Sequence, residues 1–442
     1  MVFNWFMSEH KWGFKTKALH AGTQPDPQTG ARALPIYQSS AFVFENTEDA
    51  GNLFALQKYG NIYSRIGNPT VSAFEEKIAA LEGGIGAVAT SSGQAAQFLT
   101  FAALVGTGDH VVASSALYGG TLTQLDVTLR RFGVDTTFVK SDKAEDFAAA
   151  ITDKTKFLYA EMVSNPASQV GDIEALAEVA HDAGLPLVID STVATPYLVR
   201  PIEFGADIVL HSATKFLGGH GTTLGGVIVE SGKFNWGNGK FPMMTEPVPS
   251  YGGVSWWENF GEFGFLTKVR VEQLRDIGAS LSAMSAFLLV QGVETLPQRM
   301  RDHVINAKAV SEWLESDSRI AWVKYSGLAS HPHYARAKKY MPEGPGSVFS
   351  FGVKASGDLS GRQTGEKFIN SVQLASHLAN IGDVRTLVIH PASTTHRQLT
   401  DDQLIEAGVP QDLVRISVGL EDIEDILWDL DQALTTATGK AR

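Results

Sequence analysis

The chain has 442 residues, 44% hydrophobic and 19% charged, a balance that excludes a disordered polypeptide and supplies about three structural units at roughly 150 residues each. Asp and Glu (48) outnumber Lys and Arg (36), giving a formal charge of −12 with only short basic clusters such as Lys338-Lys339, which argues against nucleic acid and anionic membrane as partners. Cysteine is absent, so disulfides, thiolate nucleophiles, Fe–S clusters and cysteine zinc sites are excluded, and any sulfur this protein handles belongs to a substrate.

Residues 1–9 are aromatic but too short and interrupted for a signal peptide, and they lack its basic flank. No apolar run approaches the ~18 residues of a membrane span, so a cytoplasmic protein is expected. Residues 1–70 are rich in turn formers (Gln24-Pro25-Asp26-Pro27, Asn68-Pro69) and read as an irregular, extended arm. Helical apolar spacing over 71–81 then stops at Gly83-Gly84. Short apolar runs follow at 87–90, 110–113, 137–139, 157–160, 187–189, 208–210 and 227–229, with helical stretches between most of them, such as 93–105, 121–132 and 173–183. Runs without alternation suit strands buried on both faces, and strand alternating with helix predicts an α/β domain built on a large, mainly parallel seven-stranded sheet. After a Gly-, Pro- and aromatic-rich connection at 230–260, a helical stretch over 261–301 is too long for one helix and is expected to bend near Gly278 or Gly292. Strands at 347–353, 386–389 and 414–418 with helices at 304–314 and 423–433 predict a smaller C-terminal α/β domain. The expected division is 1–70, 71–290 and 291–442.

Ligands of parallel sheets sit at the carboxyl ends of the strands, so the residues after each run matter most. The first run leads into Ser91-Ser92-Gly93-Gln94-Ala95-Ala96, either an ordinary helix N-cap or a phosphate cradle at a positive helix end. Asp190 follows the fifth run, and His211-Ser212-Ala213-Thr214-Lys215 follows the sixth, with Gly218-Gly219-His220-Gly221 beyond. The carboxylate and lysine could be an ion pair capping a sheet. Hydroxyls one and three residues before Lys215, and glycines that admit close backbone approach, favour a ligand instead. Tyr118, before Gly119-Gly120, adds an aromatic ring. A lysine able to form a Schiff base, a carboxylate for a pyridinium nitrogen, a phosphate cradle and an aromatic ring together describe a pyridoxal phosphate site.

Five ordered segments extend this: Tyr63-Ser64-Arg65-Ile66-Gly67-Asn68-Pro69-Thr70, the 91–96 turn, the 190–196 segment, Ser212-Ala213-Thr214-Lys215 and His390-Pro391-Ala392-Ser393-Thr394-Thr395-His396. Over about residues 15–435 the chain resembles the Cys/Met-metabolism pyridoxal-phosphate enzymes. It is most similar to their O-acetylhomoserine sulfhydrylase branch in length, in Gly232-Lys233-Phe234, Pro249-Ser250-Tyr251 and Asn380-Ile381-Gly382-Asp383-Val384-Arg385. The resemblance implies the type I fold of pyridoxal-phosphate transferases and a set of roles. Lys215 carries the cofactor, Asp190 keeps its ring nitrogen protonated, and Tyr118 stacks on the ring and assists proton transfer. The phosphate is held by the backbone of Gly93 and Gln94, by Ser212 and Thr214, and by Tyr63 and Arg65 reaching over from a neighbouring subunit as part of the 1–70 arm. Arg415 grips the substrate carboxylate, and Thr386 and Tyr63 border the amino-acid site. A homotetramer, arranged as a dimer of dimers, is implied with them.

The implied reaction forms homocysteine (or methionine) from O-acetylhomoserine and sulfide (or a thiol), releasing acetate, with cystathionine γ-synthase, γ-lyase and methionine γ-lyase as alternatives. Three positions depart from the family pattern: Ser191 in place of a usual Asn, Thr386 in place of a common Ser, and Gly252 where a His often follows Pro-Ser-Tyr. A nucleotide-binding oxidoreductase lacks support, since Leu224 stands where Gly219-His220-Gly221 would need its third glycine. No Gly-x4-Gly-Lys-Ser/Thr loop is present, and no metal is expected at His331-Pro332-His333. His390 and His396 are expected to shape the pocket.

Overall fold

Short apolar runs flanked by turns become strands because their side chains are buried on both faces. In the structure, a computed structural model describing residues 10–398, 400–406 and 408–442, seven such runs form one sheet. They are β1 (Gly86–Thr90), β2 (His110–Ser114), β3 (Asp135–Val139), β4 (Thr155–Glu161), β5 (Leu187–Asp190), β6 (Ile208–His211) and β7 (Gly226–Glu230). Their order is β1-β7-β6-β5-β4-β2-β3, with β7 antiparallel to β1 and β6 and the remaining pairs parallel. Val111, Val112, Phe157, Leu158, Val188, Ile189, Ile208 and Val209 are fully buried. Only the edge strand β3 alternates in exposure, as one covered face predicts.

The expected irregularity of residues 1–70 needs correction. Two short helices form there, α1 (Phe14–His20) and α2 (Thr47–Phe54), the second capped by the Asn46 side chain accepting the Asp49 N–H. At seven and eight residues they are too brief to show a periodic face. The aromatic stretch at residues 1–9 lies outside the described residues. Helix α3 (Pro69–Glu82) starts with Asn68 capping the Thr70 N–H and ends at Gly83, φ +80°. Helix α4 (Gly93–Leu104) starts from Ser92. The helix predicted over 121–132 begins at Gly119 and widens into a π-helix over Gln124–Leu129. The long helical stretch breaks at Gly278, φ +80°, whereas Gly292 stays inside the Ala283–Glu294 helix. There a Cβ would fall 2.3 Å from the Gly218 carbonyl oxygen, so Gly292 serves close packing rather than a bend.

The chain divides into two compact units. One takes in residues up to Met162, Asp172–Thr192 and Arg200–Thr295; the other comprises Val163–Gly171, Val193–Val199 and Leu296–Arg442. The second unit has its own sheet of β8 (Ile320–Lys324), β9 (Val348–Val353), β10 (Ser376–His377), β11 (Leu387–Ile389) and β12 (Leu413–Ser417), in the order β10-β11-β12-β9-β8. All its pairs are antiparallel except β10 with β11. Phe349, Phe351, Phe368, Val414, Ile416 and Leu430 fill its core. Sequence spacing finds β9, β11 and β12 but not the mixed edge β8 or the two exposed residues of β10. Among the described residues no helix is long and apolar enough to cross a membrane.

Candidate active site

Because β1, β4, β5 and β6 point the same way, the residues following them gather at one end of the first unit's sheet. After β1 the chain turns into α4, whose first peptide N–H groups have no partner in their own helix. The Ser92 hydroxyl takes only that of Ala95, at 3.1 Å. A Cβ on Gly93 would fall 2.6 Å from the Ser212 Cβ, and one on Gly226 would fall 2.1 Å from the Ser92 carbonyl oxygen. The two glycines therefore press the turn against the start of the Lys215 segment and leave a cradle of peptide N–H and hydroxyl that suits a phosphate. The Thr214 hydroxyl donates to the Gly225 carbonyl at 3.2 Å and accepts the Gly225 N–H at 3.0 Å, which fixes the loop before β7. Lys215 is part-buried, its peptide N–H donating to the Ser212 carbonyl at 3.1 Å.

Asp190, the last residue of β5, is part-buried and held from both sides. Its Oδ1 accepts the Thr192 N–H at 2.9 Å, and its Oδ2 accepts from the Gln97 amide at 3.2 Å. The Thr192 hydroxyl in turn accepts the Ser212 N–H at 2.8 Å, tying the carboxylate segment to the cradle. Gln97 also donates to the Tyr159 hydroxyl at 2.9 Å and accepts from Thr121 at 3.2 Å. Burial holds the Tyr159 phenol well above its ordinary pKa, with the charges of Asp190 and Glu161 adding to the rise, so it stays a neutral partner.

Tyr118 is 52% exposed, and its ring lies over Gly120, where a Cβ would come within 2.5 Å of the Tyr118 Cε1 and 2.9 Å of the Gln94 amide nitrogen. Its peptide N–H donates to Glu161 at 2.6 Å, and Glu161 is the register partner of Asp190 on the adjacent strand. Gly93, Gln94, Tyr118, Asp190, Ser212, Thr214 and Lys215 thus belong to one contact network. Motif spacing does not single out Gln97, Thr192 or Glu161, which complete it. The available signal was their place one helical turn after Gly93, two residues after Asp190 and at the end of β4.

Tyr63 and Arg65 are exposed on the same unit. The Arg65 guanidinium sits 5.2 Å from the Tyr63 ring centroid and donates to the Arg275 carbonyl. Ser191 is fully buried, with no partner for its hydroxyl among the described residues. Gly252 ends a short 3-10 turn at φ +66°, a conformation that disfavours a side chain in the position where the family often shows His.

In the second unit Arg415 lies on β12, and its guanidinium donates to the Asn380 carbonyl at 3.0 Å. Thr386 is buried, its hydroxyl donating to Glu421 at 2.8 Å and accepting the Gly419 N–H at 2.9 Å. Burial, followed by the charge of Arg415, holds the His396 imidazole below its ordinary pKa. His390 bonds Ser393 through one ring nitrogen and the Gln411 carbonyl through the other, both at 2.8 Å. His333 is engaged with the backbone of Val170, and its own N–H donates to the His331 ring.

The family described as Cys/Met metabolism PLP-dependent enzyme matches residues 15–435. A protein named Sulfhydrylase FUB7 from Fusarium oxysporum f. sp. lycopersici is 53% identical over 429 residues, spanning 96% of this chain and 98% of its own. The O-acetyl-L-homoserine sulfhydrylase of Leptospira meyeri is 50% identical over 429 residues, spanning 95% of this chain and 96% of its own. Among solved structures, one described as an O-acetylhomoserine (thiol)-lyase from Campylobacter jejuni, carrying N'-pyridoxyl-lysine-5'-monophosphate, aligns with TM-score 0.91 at 36% identity, over 96% of this chain and all of the other.

Proposed function

We propose, since this chain belongs to the Cys/Met metabolism PLP-dependent enzymes, that it forms homocysteine from O-acetylhomoserine and sulfide with release of acetate. Its fold is the type I arrangement of pyridoxal-phosphate enzymes, and pyridoxal phosphate is its cofactor. The observation that carries the choice of reaction is 50% identity, across almost the whole length, to a protein named for that activity. The residue roles rest on the strand-end network around Asp190 and Lys215.

Bound pyridoxal phosphate supplies an electron sink for negative charge developing at the substrate Cα. Lys215 would hold the cofactor through its Nζ, and its amine, when free, would take the Cα proton and move a second from Cβ. Asp190 holds the ring nitrogen protonated. Tyr118 covers the ring and assists the proton transfers. The phosphate is held by the Gly93 and Gln94 N–H groups, by Ser212 and Thr214, and by Tyr63 and Arg65 of the partner subunit. Arg415 orients the substrate carboxylate through a forked pair. The Thr386 hydroxyl, committed to Glu421 and Gly419, shapes the amino-acid site by holding its lining in place. At Cγ the bond to the acetate oxygen breaks, a bond to the sulfide sulfur forms, and the protons return to Cβ and Cα. The assembly is a homotetramer, a dimer of dimers in which each 1–70 arm completes its neighbour's phosphate site, and it works in the cytoplasm.

The test is product analysis with O-acetylhomoserine alone, with sulfide and with cysteine. Homocysteine with sulfide is expected. Cystathionine as the main product, or a keto acid and ammonia without an acceptor, assigns the chain to a γ-synthase or γ-lyase instead.

A further inference from the structure

We propose that Gln97 is a positioning residue for Asp190, its buried amide fixing the carboxylate in the orientation that meets the cofactor's ring nitrogen. This rests on the pyridoxal-phosphate reading of the site and adds a residue to it.

Gln97 is 4% exposed and lies four residues after Gly93, one turn along α4 from the phosphate cradle. Its amide orientation is over-determined. The two N–H donors face two acceptors, Asp190 Oδ2 at 3.2 Å and the Tyr159 hydroxyl at 2.9 Å, while the carbonyl oxygen accepts from Thr121 at 3.2 Å. A flipped amide would set its oxygen against the carboxylate and take away the oxygen that accepts from the fully buried Thr121 hydroxyl. Thr121 belongs to the helix that follows Tyr118, so the same amide braces the ring-covering and ring-nitrogen sides of the site against each other.

With Thr192 N–H on Oδ1, each Asp190 oxygen accepts one neutral donor and keeps a lone pair for a protonated ring nitrogen. Neutral donors stabilise the carboxylate without cancelling its charge, which is what holding a pyridinium proton requires. A hydrogen bond to a charged group at a part-buried site corresponds to about a ten- to hundred-fold effect on what that group binds.

The experiment measures the pyridoxal phosphate dissociation constant of the full-length protein, read from the visible absorbance of the lysine-bound cofactor, for wild type, Gln97→Leu, Asp190→Ala and the double variant. Gln97→Leu is expected to weaken binding about ten- to hundred-fold, and the double variant to match Asp190→Ala within about twofold, because no carboxylate is left to position. A Gln97→Leu constant within about twofold of wild type, or losses that multiply in the double variant, overturns the inference. Gln97→Glu, close in shape, supplies a second readout, the pH dependence of cofactor affinity relative to wild type. Its carboxyl repels Asp190 when ionised and donates to it when protonated, so affinity should recover as pH falls; a flat profile also overturns the inference. A wild-type protein that takes up no pyridoxal phosphate defeats the underlying reading instead.

Discussion

The two ends of the larger sheet solve the burial of carboxylates in opposite ways. At the carboxyl ends of β5 and β6, Asp190 is part-buried, takes one donor on each oxygen, and shares its neighbourhood with hydroxyls and the start of a helix. At the amino ends of the same strands, Asp207 is buried, accepting from the Leu187 N–H and from His181, both at 2.8 Å. Close by in register, at the end of β7 opposite Ile208 and Gly86, Glu230 is fully buried and accepts from the Trp236 indole at 2.8 Å. Burial pushes the Glu230 carboxyl from its ordinary 4.5 up to about 8, against the lowering pull of Trp236, so it is held as an acid. On the proposed function, one end keeps charge available to a ligand, and the other neutralises it for packing. Activity should therefore follow changes at the first end, and stability changes at the second.

The largest effect is expected for Lys215→Ala, which removes the visible absorbance of the bound cofactor and lowers turnover by about 10²–10⁴-fold or more. Retention of both in a spectrum and a sulfide assay would falsify the assignment. Next comes Gly93→Ala, whose Cβ would drive Ser212 from the cradle. Overpacking of this kind costs about 1–3 kcal/mol, and cofactor affinity should fall about tenfold. If melting temperature drops while the cofactor dissociation constant stays put, this end is as purely structural as the other.

At the opposite end the readout is pH. Glu230 binds its proton more tightly folded than unfolded, so its contribution is fully present below 4.5 and is lost as pH rises through about 8. Thermal melts of Glu230→Gln should match wild type under acid conditions and exceed it at alkaline pH, by about 1–2 °C for each kcal/mol recovered, with turnover unchanged. Equal pH slopes for the two proteins would count against a protonated Glu230. The smallest effect belongs to His181, whose pKa is raised chiefly by its hydrogen bond to Asp207. Its side chain is 43% exposed, so His181→Gln should cost no more than about 1 kcal/mol. That loss should appear below the ordinary imidazole pKa and vanish as pH climbs past the folded value. A larger loss, or one confined to alkaline pH, would contradict this sign.

The larger sheet was legible because its strands are uninterrupted apolar runs, and the position of Lys215 and Asp190 after two of them marked the candidate site. What spacing could not show were residues whose meaning lies far along the chain. Gln97 looks like any polar residue in an apolar helix until Asp190, 93 positions away, meets its amide. Thr386 reads as a hydroxyl for substrate until Glu421, 35 positions on, claims it. The edge strand β8 and the short helices α1 and α2 escaped for a local reason, since each is too brief or too mixed to establish a period.

Local chemistry along the chain was sufficient to specify which segments are strands, where α3 and α4 are capped, and which lysine and carboxylate follow buried strands, because backbone geometry and apolar burial act over a few residues. Tertiary packing alone decided which oxygens of Asp190 receive donors, which way the Gln97 amide faces and that Glu230 keeps its proton. Those outcomes depend on hydrogen bonds and desolvation between segments that meet only when the sheet has assembled.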